Sequence, residues 1–424
     1  MNRGLLLGAG FSYDLGMPLS VEFTEVFLGI FNKENVKLLA AALSQNDPYS
    51  SGRPINKEAV FNGFDLLLEY KKNKGNNYEE FLRIIQDKQN ELGLSQSDKD
   101  SYNYLFSVFY EIVHTILSAY QKLSYETIYK KNIRWFSGLD NLLSDKETWV
   151  FTLNHDLYME CLALDYGIPI TYGDDESISF PLSNIEMDKK VNLTCSKRSR
   201  LASSDAGFFR GERGINLVKL HGGLSELQYQ DNEILCNLPL NCKSSNELIT
   251  NFKQLENMAY YHQGQKVPSG KDRCITGSDG ELDIISKSML TGGRKYSKTS
   301  KIKKGEEKLK IFDEQLMKLD ELTIIGYGFG DKHVNFRLSN AMLLNENLTI
   351  RIVDPVNCKP PEILEQFDFD SRIRGASCGA AHWMDYCVSE KWGSEQINTL
   401  KENIKYRDII KSKVEAAIMA GVFN

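Results

Sequence analysis

Leu5-Leu6-Leu7-Gly8-Ala9-Gly10-Phe11-Ser12, followed by Gly16-Met17-Pro18, is an apolar run that ends in two closely spaced glycines. A buried strand that stops at such a pair and opens into a helix lets backbone N–H groups approach a pyrophosphate, which the helix N-terminus favours electrostatically. A plain tight turn uses the same glycines. Three later segments repeat the arrangement. Thr152-Leu153-Asn154-His155-Asp156 follows Thr148–Phe151, His221-Gly222-Gly223 follows Leu217–Leu220, and Gly326-Tyr327-Gly328-Phe329-Gly330-Asp331 follows Leu322–Ile325. Each places polar or glycine-rich residues at the C-terminal end of an apolar strand, where open parallel sheets bind ligands.

The order of these motifs resembles the sirtuin family, and more closely its bacterial sirtuin-like branch that destroys NAD during phage defence. Gly8 through Pro18 matches the family's Gly-Ala-Gly-x-Ser-x-x-x-Gly-x-Pro without a gap. Thr152, Asn154 and Asp156 match Thr-Gln-Asn-x-Asp, with Leu153 replacing Gln, and His221-Gly222 matches His-Gly. The resemblance covers residues 1–20 and, in scattered blocks, about 148–356. Two features depart from it. Sirtuin deacylases continue with Asp-Phe-Arg where this chain has Leu19-Ser20-Val21, and they carry a four-cysteine zinc ribbon after the catalytic His. Such a site needs paired thiolates at short spacing. The nearest pair here, Cys236 and Cys242, has no second pair to complete a tetrahedron, so no zinc is expected.

The 424 residues, 42% hydrophobic and 25% charged, suit a globular protein larger than one average domain. Neither a signal peptide nor a membrane span is expected at the N-terminus, and eight cysteines without periodic spacing read as reduced thiols in a cytoplasm. Strands at Thr148–Thr152, Ile168–Thr171, Leu217–Leu220, Leu322–Tyr327 and Leu348–Val353 predict an α/β, Rossmann-like doubly wound parallel sheet. It carries a large helical insertion and a helical C-terminal extension. Within the insertion, Leu105, Val108, Phe109, Ile112, Val113, Ile116, Leu117 and Tyr120 keep helical spacing, with Glu111 and Gln121 off the stripe. From Ser394 to Ile418 an amphipathic helix runs through Ile397, Leu400, Ile404, Ile410, Val414 and Ile418, as a packing helix or an assembly contact. The expected division is residues 1–30 plus 148–356 as an NAD-binding core, 31–147 as the insertion and 357–424 as the extension. The segment 287–310 holds nine Lys or Arg against Glu306 and Glu307, in a chain of net charge −6. It is either a nucleic-acid or acidic-partner contact or a solvated loop and helix entry.

NAD carries nicotinamide as a ready cationic leaving group, so its cleavage mainly needs stabilisation of a ribosyl cation and a delivered water. His221 is the candidate general base, because imidazole titrates near working pH. Asn154 offers a donor and an acceptor that can hold water and a ribose hydroxyl without added charge. Asp156 either caps the following helix or binds nucleotide. Ser12 caps the first helix while touching phosphate. Gly8, Ala9, Gly10, Gly326 and Tyr327 line the cofactor-binding loops, and Asp354 before Pro355 either accepts the adenosine ribose hydroxyls or makes a turn. His155, Asp331 and His333 receive no role, and Asp331 with His333 lacks a third ligand for a metal.

The resemblance implies an NAD glycohydrolase yielding nicotinamide and ADP-ribose as an anti-phage effector. It is expected as a homo-oligomer beside a HerA-type hexameric ATPase partner, with nucleic acid reached through that partner or the basic segment, and no membrane. The alternatives are an NAD-dependent protein deacylase and an NAD- or ADP-ribose-sensing module controlling a nuclease.

Overall fold

The computed structural model describes residues 1–45, 55–203, 205–289, 306–356, 359–369 and 371–423. Most of the basic segment 287–310 lies outside the described residues. The chain divides into two compact units, the first comprising Met1–Met17, Ser124–Met289 and the described residues of Lys298–Tyr406.

That unit is built on a parallel sheet of seven strands: β1 (Arg3–Leu7), β2 (Glu147–Thr152), β3 (Ile170–Thr171), β4 (Gly214–Lys219), β5 (Glu321–Ile325), β6 (Thr349–Val353) and β7 (Ile373–Ala376). Their spatial order is β7-β6-β5-β1-β2-β4-β3. The first strand is therefore central, β2, β3 and β4 lie to one side of it and β5, β6 and β7 to the other, and the expected doubly wound sheet is present. Leu5, Leu6 and Leu7 are buried, which explains why β1 reads as an unbroken apolar run rather than an alternating one. The direction of building reverses between β1 and β5, which pair from Arg3↔Glu321 to Leu7↔Ile325. Sheets of this kind open a crevice at such a switch point. The first motif is also tied to the far end of the chain: Asp14 Oδ2 accepts the Ala381 N–H (2.9 Å) at the start of the helix Ala380–Ser389.

Between β3 and the helix Glu306–Leu316 the chain forms a second, antiparallel sheet of six strands. Its order is Asp272–Thr276, Leu282–Lys287, Leu227–Tyr229, Ile234–Asn237, Lys190–Lys197 and Glu176–Pro181. The sequence patterning did not indicate this sheet, because its strands are short and mix exposed polar with buried apolar positions, as in Lys190–Lys197. Nor did it indicate β7, four residues at the sheet edge within a stretch expected to be helical.

The second unit comprises Pro18–Leu123 and the described residues of Arg407–Asn424. It is helical, with helices at Ser20–Gly29, Lys33–Leu43, Lys57–Lys72 and Tyr78–Gln89, and most of Gln96–Ser124. Asn32, Asn56 and Asn77 start three of them by accepting N–H groups of the first turn. Phe109 packs edge-on to Phe81 (5.1 Å) and Phe64 (5.5 Å) at the centre of an aromatic core. Of the expected stripe, Leu105, Phe109, Ile112, Val113, Ile116, Leu117 and Tyr120 are buried, whereas Gln121, expected off the stripe, is buried as well. The last helix runs Glu395–Phe423; Ile410, Val414 and Ile418 are buried, but Ile397 and Ile404 are exposed. No helix among the described residues is long and apolar enough to cross a membrane.

Candidate active site

The two glycine-rich loops at the switch point clasp each other. Gly8 N–H donates to the Ile325 carbonyl (3.0 Å) and Gly10 N–H to that of Gly326 (2.9 Å). A Cβ on Gly8 would stand 2.5 Å from the Gly326 oxygen, and one on Gly10 would stand 2.7 Å from the Gly326 Cα. Gly326 itself has φ +64°, in the left-handed region. These glycines thus admit backbone against backbone, and their N–H groups at 8 and 10 are taken by protein carbonyls. Ala9 begins the five-residue helix Ala9–Tyr13.

Asn154 stands beside this clasp. Its amide Nδ2 donates to the Gly8 carbonyl (2.8 Å) and to Ser12 Oγ (3.0 Å). A carbonyl only accepts, so the amide orientation is fixed and Oδ1 is the group left for a ligand. Ser12, fully buried, also hydrogen-bonds the Asp156 carboxyl, whose Oδ1 accepts the Tyr158 N–H (3.0 Å). Asp156 thereby takes up the N–H of the first residue of the helix Tyr158–Asp165, from the position before its N-cap residue, Leu157. Burial pushes its carboxyl up, against the opposing pull of Lys219, the Tyr158 N–H and Ser12.

Lys219, the last residue of β4, joins this cluster to the His221 turn. Its ammonium ion-pairs with the fully buried Glu160 (2.7 Å) and donates to the Asp156 carbonyl, while Tyr172 donates to the same Glu160 carboxylate (2.7 Å). The Gly222-Gly223 pair, expected to admit a ligand, accommodates protein instead. A Cβ on Gly223 would stand 2.7 Å from Lys219 Cδ, and Gly222, at φ +71°, lies against Ser288. His155 Nδ1 donates to the Gly222 carbonyl (3.0 Å), and its ring centre is 6.4 Å from that of His221.

His221 is 4% exposed, and its Nε2 lies 2.9 Å from Asp331 Oδ2. The approach is off the line of the ring N–H, so the contact is electrostatic rather than a directed hydrogen bond. Sequence reasoning gave Asp331 no role; only the folding of β4 beside β2 and of β5 beside β1 brings it to His221. Tyr327 is buried with its hydroxyl on Asn335 Oδ1 (2.8 Å), and burial raises its phenol further above its ordinary range. Asp354 half-emerges at the end of β6, where its Oδ1 accepts the Val356 N–H (2.8 Å), the geometry of a turn. His333 is exposed on the first turn of the helix Lys332–Leu344. Asn154, Ser12, Asp156, His221 and the Gly8 and Gly326 loops therefore share one rim of the sheet, and Asp331 joins them.

Among the described residues no group of three or more His, Cys, Asp or Glu side chains could hold a metal ion. Cys195 and Cys236 face each other across the antiparallel sheet as free, buried thiols.

No protein-family model and no curated protein matches the chain. Among solved structures it is similar to a Sir2 homologue–NAD complex, with 12% identity over 94% of this chain and 90% of that one and a TM-score of 0.34. It is likewise similar to a Sir2 homologue mutant bound to ADP-ribose, with 10% identity over 95% and 93% and a TM-score of 0.33. A third is a Sir2 protein bound to a propionylated peptide, with 12% identity over 92% of each chain and a TM-score of 0.30. These structural neighbours are Sir2-family proteins.

Proposed function

We propose that this protein is an NAD glycohydrolase: water adds to C1′ of the nicotinamide ribose, the C–N bond breaks, and nicotinamide leaves as a neutral base, with one proton released. The observation that carries the reading is the meeting, on one rim at the switch point, of Asn154 with a fixed amide and His221 with a carboxylate partner. Asn154 Oδ1 accepts a hydrogen bond from the attacking water or a ribose hydroxyl. His221 takes the proton as the new C–O bond forms. Ser12, Asp156 and the loops of Gly8–Gly10 and Gly326–Tyr327 line the dinucleotide, with the Gly8 and Gly10 N–H groups given to the clasp between the loops, and Asp354 serves the adenosine ribose besides making its turn. The motif order quoted above supports the same ligand.

An NAD hydrolase active without control would drain the cell that makes it. We therefore place this one in the cytoplasm as an anti-phage effector held in a homo-oligomer and governed by a HerA-type ATPase. The segments 31–147 and 357–424, outside the core of 1–30 and 148–356, carry its assembly surfaces.

The test is purified protein with NAD, alone and with its partner, followed by chromatography of nicotinamide and ADP-ribose. Release without any acyl-lysine peptide supports the proposal, and release that requires such a peptide assigns a deacylase instead. His221→Ala and Asn154→Ala should each reduce turnover by about 10²–10⁴-fold, and normal turnover in both folded variants would refute the site.

A further inference from the structure

We propose that Asp331 is a positioning residue for His221, setting which imidazole nitrogen carries the proton; its catalytic consequence rests on the NAD-cleavage reading. Three observations converge on this. The two side chains are nearly buried, and Nε2 and Oδ2 are 2.9 Å apart. The other carboxylate oxygen, Oδ1, is fixed by the N–H groups of His333 (2.9 Å) and Val334 (3.2 Å), for which Asp331 is the N-cap. The loop behind it is braced as well, because Asp331 N–H donates to the Tyr327 hydroxyl (3.1 Å) and Asn335 Nδ2 donates to the Phe329 carbonyl (2.7 Å). Backbone donors on one oxygen thus aim the other at His221.

Although the carboxylate lies off the line of the ring N–H, its negative charge 2.9 Å from Nε2 disfavours a lone pair there and favours a proton, so a neutral His221 keeps its proton on Nε2 and its lone pair on Nδ1. Nδ1 is then the basic atom, and the Asp331 charge stabilises the imidazolium formed when that atom takes a proton. No proton passes to Asp331.

Substitution by Asn separates this role from capping. Asn is as good an N-cap as Asp, and with its Oδ1 held by His333 and Val334 its NH2 group must face Nε2. A donor there turns Nε2 into the acceptor and moves the ring proton to Nδ1. Asp331→Ser keeps a cap but withdraws the contact altogether.

The experiment is imidazole 15N–1H correlation spectroscopy of the full chain with 15N-labelled histidine, six residues in all. His221→Gln assigns the resonance, and nicotinamide release is measured in parallel. We expect the Nε2–H form in the native protein and the Nδ1–H form in Asp331→Asn. In that variant kcat falls about 10²–10⁴-fold with KM little changed, the cost of a base presented in the wrong tautomer. An unchanged His221 pattern in Asp331→Asn, or an Nδ1–H form in the native protein, overturns the proposal. The spectra need no turnover. An Asp331-dependent tautomer in a protein that releases no nicotinamide, either alone or with its partner, upholds the pairing and refutes NAD cleavage.

Discussion

Replacing Gly326 by Ala tests whether the clasp of the two glycine loops holds the switch point together. At φ +64° an Ala costs about 1–2 kcal/mol in the left-handed region. Its Cβ would also clash with the Gly10 carbonyl carbon and the Phe11 nitrogen and stand 2.5 Å from Gly10 Cα, all backbone atoms that no rotamer can move aside. The loops must part, which breaks the bonds from Gly8 N–H and Gly10 N–H at about 1 kcal/mol each. The sum is about 3–4 kcal/mol of local stability. In hydrogen exchange read by mass spectrometry, peptides spanning residues 5–13 and 321–327 should lose protection by two to three orders of magnitude, about tenfold for each 1.4 kcal/mol. Gly328→Ala is the control, because its Cβ meets open space and its backbone lies outside the left-handed region. That change should cost about 0.5 kcal/mol or less. Native protection in Gly326→Ala, or equal loss in both variants, would refute the clasp.

Lys219→Met strands the fully buried Glu160 charge and should cost about 3–5 kcal/mol in thermal unfolding, with partial recovery on adding Glu160→Gln. Burial holds the Asp174 carboxyl at about 6, against hydrogen bonds from Thr194 and Asn237. The folded state therefore binds the extra proton between pH 4 and 6, and the stability Asp174 contributes falls as pH rises through that window. Asp174→Asn should gain up to about 3 kcal/mol on the native protein between pH 4 and 7, and a pH-independent difference would contradict this. Cys161, Cys195 and Cys236 are buried with thiols pushed up by burial, Cys195 to about 11. They should stay unmodified by a maleimide at pH 8, as peptide mapping would show.

The strands that carry the motifs were legible because β1, β2, β4, β5 and β6 are apolar runs stopped by Gly, Asn, His or Asp. That pattern survives in sequence since parallel strands are buried on both faces. The antiparallel sheet was not, for its strands are brief and half-exposed. Within the site, Asn154, His221 and Ser12 could be singled out by residue type and motif. The Gly222-Gly223 pair misled, because a missing Cβ records what lies near the backbone without saying whether that neighbour is ligand or protein; here it is Lys219 and Ser288. The pairing of His221 with Asp331 follows no spacing rule. It exists only because β5 returns beside β1, and sequence distance carries no trace of that.

The strand order has a consequence for how the protein is made. A chain emerging from the ribosome supplies β1 first and β2 and β4 next, but β1 lies between β2 and β5 and has no neighbour on its other side until Glu321–Ile325 appears. Gly8 and Gly10 have no carbonyls to meet before then, and His221 has no Asp331. The helix that Asp14 caps comes later still, at Ala380–Ser389. Unfinished or C-terminally clipped chains thus carry every motif of the first half and yet lack an assembled rim. The order of synthesis therefore withholds the assembled rim until β5 and the loop that carries Asp331 have been translated, and shorter products are held apart from whatever chemistry the complete site performs.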